Sequence, residues 1–189
     1  HHVWGKQTFY DAAYHTPLII RDPEHPAAHG QRITVPTESI DIAPTVLDWL
    51  KQLPPDTMDG RALTPFLQGK TPQDWRRYTF SELDFGDPVS PTTAQTALGL
   101  TAEQANLAIL RGPTHSLVHF NAGLPPLLFD HTGAGETRDV AADPKAQSIL
   151  LEMSRAMLDH RMTHTSGRFY RTMITQNGAV SAPKHANGT

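Results

Sequence analysis

With 189 residues, the chain is long enough for one domain with a hydrophobic core, or for a small domain joined to part of another. Nineteen acidic against 16 basic residues leave a net charge of −3 with the signs intermixed, so there is neither the basic face of a nucleic-acid binder nor a polybasic membrane anchor. The absence of cysteine excludes disulfides, thiolate metal sites and a cysteine nucleophile within these residues.

Phe9, Tyr10, Ala13 and Tyr14 recur at helical spacing, which predicts a short helix over Gln7 to Tyr14 with its aromatics facing a core. Pro17 stops it. Leu18-Ile19-Ile20, a continuous β-favouring run, reads as a buried strand, and the run from Pro17 is far too short to cross a bilayer. Ile33-Thr34-Val35 reads as a second short strand. A helix follows to about Leu50, with Asp41 as its N-cap, Pro44 in its first turn and one face formed by Ile42, Val46, Trp49 and Leu50. Asp59-Gly60-Arg61 turns the chain into a short element over Leu63 to Leu67.

A second unit is expected from Thr71-Pro72. Tyr78 to Leu83 alternates as a strand, and Pro88 to Ala97 forms a loop with a helical turn closed by Gly99. Leu107 to Arg111 and Ser116 to Phe120 are two strands joined at the turn dipeptide Gly112-Pro113. Leu124 to Asp130, edged by prolines, is expected at a sheet margin. Asp143-Pro144 starts the last long helix, whose stripe of Ala146, Ile149, Leu150, Met153 and Met157 fits packing against a sheet. Beyond Met162 the pattern weakens, and from Asn177 the composition is that of a disordered end. Phe169, Tyr170, Met173 and Ile174 are nevertheless apolar enough to be expected to dock on the body or on another subunit.

Several residues invite chemistry. A lysine is most often a solvated surface residue, but Lys6 sits between Trp4-Gly5 and an aromatic helix. His1 and His2 are adjacent, and neighbouring side chains rarely converge on one ion. His160 and His164 have the His-x-x-x-His spacing of a helical metal pair, at a helix end where a solvated face is the simpler reading. Glu82 and Asp84 alternate on one strand face, a pairing used in acid–base work but commoner as a solvated edge. Asn187-Gly188-Thr189 matches a glycosylation pattern at the chain end, where chance is the plainer source.

Taken together, Val3-Trp4-Gly5-Lys6 with its aromatic helix, Ser39 to Asp48, Asp59-Gly60-Arg61-Ala62-Leu63, Asn106 to Arg111, Val118-His119-Phe120 and Leu124 to Asp130 resemble the sulfatase and phosphonate monoester hydrolase superfamily. The likeness covers Val3 to Tyr170, and its last three segments are most similar to the phosphonate monoester hydrolase branch. It implies an α/β fold: the C-terminal portion of an alkaline-phosphatase-like α/β sandwich, then a small subdomain with a four-stranded antiparallel sheet and one long helix. The domains expected are 1–70, the last part of the main domain; 71–162, the α+β subdomain; and 163–189, a partly disordered tail.

The resemblance further implies hydrolysis of sulfate or phosphonate/phosphodiester esters. The nucleophile would be a formylglycine made from Cys or Ser in a Cys/Ser-x-Pro-Ser-Arg motif, beside a divalent metal (Ca, Mg or Mn) held by carboxylates. Neither that motif nor the family's metal pair occurs here, so both are expected upstream of His1, and these residues alone are expected to be inactive. Lys6 is the catalytic residue the resemblance implies, contacting substrate oxygens or the leaving group, with His1 and His2 as supporting candidates behind it and no metal ligand in this chain. The expected partners are a small anionic ester and a second copy met through the C-terminal helix and tail, without nucleic acid or membrane. The alternative is a non-catalytic interaction or oligomerisation module of the same fold.

Overall fold

The structure, a computed structural model, describes residues 8–133, 135–164 and 172–181. They fall into two units that interleave along the chain. Residues 8–19 and 76–157 form one, and residues 20–75 with the described residues after 157 form the other.

In the first unit five strands make an antiparallel meander: β1 (Thr79–Asp84), β2 (Asn106–Arg111), β3 (His115–Phe120), β4 (Leu127–Asp130) and β5 (Gly135–Asp139), in that spatial order. Gly112-Pro113 closes the β2–β3 turn, with the Gly112 N–H donating to the His115 carbonyl at 2.8 Å. β2 is apolar at nearly every position because both faces of the sheet are covered. Ala108, Leu110, Leu117 and Leu128 pack on one face against Ala146, Met153 and Met157, and Ile149 and Leu150 close in beside them. These helical residues belong to α5 (Gln147–His164) and the turn before it, which Asp143 caps by accepting from the Lys145 N–H at 2.9 Å. On the other face Leu107, Ile109, Val118 and Phe129 meet Phe9, Tyr10 and Tyr14, which flank or lie in α1 (Asp11–Tyr14). The expected helical turn after Pro88 is α4 (Thr93–Leu98), capped by Thr92 and closed by Gly99 in the left-handed region at φ 65°.

Two expectations about this sheet are corrected. It has five strands rather than four, and β4 is an inner strand because β5 pairs beyond it. The β5 residues Gly-Glu-Thr-Arg-Asp carry no hydrophobic alternation, so only pairing with β4 makes them a strand.

The second unit holds α2 (Ile42–Trp49), α3 (Thr64–Leu67) and the hairpin β6 (Thr172–Thr175) with β7 (Gly178–Ser181). Leu18-Ile19-Ile20 and Ile33-Thr34-Val35 are not strands: Ile19 is 92% exposed, and neither segment has a strand to pair with among the described residues. A strand needs a partner for its ladder hydrogen bonds, which local propensity cannot supply. The expected face of α2 exists but points outward, with Ile42, Val46, Trp49 and Leu50 all exposed, while Pro44 and Thr45 are buried. Asp41 takes the N-cap position without capping α2 through its side chain. Its fully buried carboxylate instead accepts from the backbone N–H of Glu38 and of Arg61, each at 2.8 Å. Thr45 Oγ1 donates to the Asp41 carbonyl and accepts from the Leu63 N–H. Gly60 makes this approach possible, because a Cβ there would stand 2.0 Å from the Ile40 carbonyl oxygen. Residues 172–181 pair as a hairpin although a disordered end was expected from Asn177, and Met173 and Ile174 are 71% and 79% exposed on the single chain. Phe169, Tyr170 and Asn187-Gly188-Thr189 lie outside the described residues.

Candidate functional site

Lys6, His1 and His2 lie outside the described residues. What the structure describes is the mount for the segment that follows them. Phe9 meets Phe120 edge-on with ring centroids 5.7 Å apart, and Tyr10 meets Phe129 at 5.9 Å. Directly after these rings the polar part of the mount begins. The Asp11 N–H donates to Glu136 Oε2 at 2.7 Å, across 125 positions of sequence. Arg111 Nη1 donates to Glu136 Oε1 at 3.2 Å, and Arg111 Nη2 lies 3.1 Å from Asp11 Oδ1. That second contact is an ion pair without hydrogen-bond alignment, since Asp11 Oδ1 is buried and has no hydrogen-bond partner among the described residues.

The cluster runs on through the sheet. Arg111 Nη1 also donates to the buried Ser116 hydroxyl at 3.3 Å, and Ser116 Oγ lies 2.7 Å from His131 Nε2. Burial foremost, and then the Arg111 charge, hold the His131 pKa below its ordinary value, so the neutral ring is favoured. Asp130 is held below the usual carboxylate range by hydrogen bonds from the Thr132 hydroxyl and N–H, at 2.6 and 2.8 Å. None of Asp11, Arg111, Ser116, His131 and Glu136 was singled out from the sequence. The available signal was Arg111 ending a mostly apolar strand, a placement that favours carboxylate partners for a half-buried cation.

The other sequence candidates stay apart from this cluster. Glu82 and Asp84 sit on the exposed side of β1. The rings of His160 and His164 stack at 4.3 Å, and His164 Nδ1 lies 3.1 Å from Asp59 Oδ1. Among the described residues no group of three or more His, Asp or Glu side chains could hold a metal ion. A cleft of about 80 Å³ beside Tyr78, His115 and Glu152 is small against the roughly 300–1,000 Å³ of small-molecule sites.

Residues 1–107, more than half of the chain, match the family model described as N-sulphoglucosamine sulphohydrolase, C-terminal. The chain belongs to this family. Among solved structures it is similar to the phosphonate monoester hydrolase of Silicibacter pomeroyi, with 49% identity and a TM-score of 0.88 over 97% of this chain and 36% of that one. The phosphonate monoester hydrolase of Agrobacterium radiobacter follows at 40% identity and a TM-score of 0.84, covering 96% of this chain and 36% of that one. A multifunctional alkaline phosphatase superfamily protein, PehA, of Trinickia caryophylli is 34% identical over 87% of this chain and 32% of its own length. The chain therefore spans about a third of the length of these relatives. The sulfatase and phosphonate monoester hydrolase superfamily expected from the sequence is the right one, and the mixed α/β structure with its antiparallel sheet and long helix matches the C-terminal region of that fold.

Proposed function

We propose that the chain serves a hydrolase of phosphonate or sulfate esters, as the part that holds Lys6 against substrate oxygens or the leaving group. The carrying observation is the 49% identity, sustained over 97% of the chain, to a phosphonate monoester hydrolase. In this reading a formylglycine nucleophile and a divalent metal come from residues outside this chain. The described residues bring no three His, Asp or Glu side chains together that could hold the metal. Ester cleavage gathers negative charge on the non-bridging and leaving oxygens, and an ammonium fixed beside them stabilises the transition state more than the ground state. One charge-assisted hydrogen bond of about 1.5–3 kcal/mol corresponds to roughly ten- to a hundredfold in rate. Lys6→Ala in the full-length enzyme is accordingly expected to lower kcat by that factor on a nitrophenyl phosphonate monoester, with metal content unchanged. Turnover equal to the parent's would remove Lys6 from the site.

An oligomerisation role for the same chain has its own support. Leu151, Leu158 and Met162 on α5, and Met173 and Ile174 on β6, are each more than half exposed, more apolar area than a solitary face needs.

A further inference from the structure

We infer that His160 and His164, braced by Asp59, form a two-histidine site for a late first-row divalent cation of the copper(II) or nickel(II) kind. The site is independent of the ester-cleaving reading, since none of these three side chains has a part in it. Both histidines stand in the last turn of α5, four residues apart, so the helix sets them on one face. Spacing alone leaves two rings at liberty to point apart. In the structure they come together, with centroids 4.3 Å apart and planes tilted by 35°. With metal–nitrogen bonds of about 2.0–2.1 Å, two imidazoles at right angles on one ion put their ring centres about 4.5 Å apart, against about 5.2 Å at the tetrahedral angle. The observed spacing matches the right-angled pair of a tetragonal copper(II) or nickel(II) site rather than a tetrahedral zinc site.

Asp59 supplies an independent observation. His164 Nδ1 lies 3.1 Å from Asp59 Oδ1. A carboxylate only accepts, so the proton sits on Nδ1 and Nε2 keeps the lone pair that binds a metal. A carboxylate behind the ring is what fixes the tautomer and orientation of metal-binding histidines and raises their basicity. The helix adds to this, because its last turn carries partial negative charge and favours a cation. His164 and Asp59 are 35% and 39% exposed, open enough for a hydrated ion to enter. With two protein ligands, water fills the remaining positions, in keeping with the absence of a three-ligand cluster among the described residues.

The test is copper(II) binding to the full-length enzyme, followed by isothermal titration calorimetry with the enzyme's own metal left in place. Asparagine at either histidine removes a ligand and keeps a polar side chain of similar reach. His160→Asn and His164→Asn are each expected to weaken the same copper(II) site by well over about tenfold, and Asp59→Ala to weaken it by roughly ten- to a hundredfold. Loss of that one site in both histidine variants supports the pair. Equal copper binding in the parent and both variants, or a loss in only one of them, overturns it. An Asp59→Ala enzyme that binds copper as the parent does overturns the part assigned to Asp59. Should a variant not fold, the parent decides: copper(II) should shield His160 and His164 together from diethyl pyrocarbonate, read by mass spectrometry. Shielding of neither, or of one alone, refutes the site.

Discussion

Replacing Asp41 with alanine tests whether one buried carboxylate ties the α2 segment to the Gly60 turn. The side chain is fully buried and accepts two backbone N–H groups at 2.8 Å, those of Glu38 and Arg61. Alanine strands both donors. A donor left unpaired in a buried place costs about 1–3 kcal/mol, and water can reach these two in part, which gives a loss of roughly 2–4 kcal/mol. That is a large fraction of a typical domain's stability of about 5–15 kcal/mol. Asparagine keeps one oxygen but turns an NH₂ toward the other donor, so Asp41→Asn should lose about half as much by the same reasoning. Urea unfolding followed by far-ultraviolet circular dichroism is the assay. With a slope of about 2 kcal/mol per molar, the alanine midpoint should fall by roughly 1–2 M and the asparagine midpoint by less. A shift below about 0.3 M for alanine, or an asparagine variant as stable as the parent, would refute the two-donor account, since either means water satisfies the donors equally well.

Two further outcomes follow from the same structure. His131 is held below its ordinary pKa, so below pH of about 6.5 the unfolded chain takes up a proton that the folded chain refuses; stability should decline through that window until the folded pKa is passed. Comparing urea midpoints at pH 7.5 and 5.5 checks this, and His131→Asn should flatten the difference; an unchanged slope would show that His131 does not carry it. For the oligomer reading, Met162→Glu with Ile174→Glu should lower the mass measured by sedimentation equilibrium without lowering the melting temperature. Identical masses would count against contact through α5 and the hairpin.

Much of the sheet unit was legible because its signals are local. The apolar run of β2, the Gly112-Pro113 turn and the Asp143-Pro144 start of α5 each depend on residues close in sequence, and each element forms where expected. The stripe from Ala146 to Met157 even names the side of the helix that meets the sheet. Leu18-Ile19-Ile20 shows the limit: its composition favours a strand, yet a strand exists only where another lies beside it to share hydrogen bonds. β5 shows the converse, a polar stretch made a strand by its neighbour.

The sequence by itself determined the family, through motifs spread over most of the chain. Only the tertiary structure decided how Phe9, Tyr10 and Asp11 are held. Asp11 meets Glu136 across 125 positions, and Arg111 meets both. Hydrophobic periodicity reports which face of an element is buried, and turn residues report where the chain reverses. Neither reports which distant carboxylate a half-buried guanidinium will meet, because that is set by the register of strands paired through space.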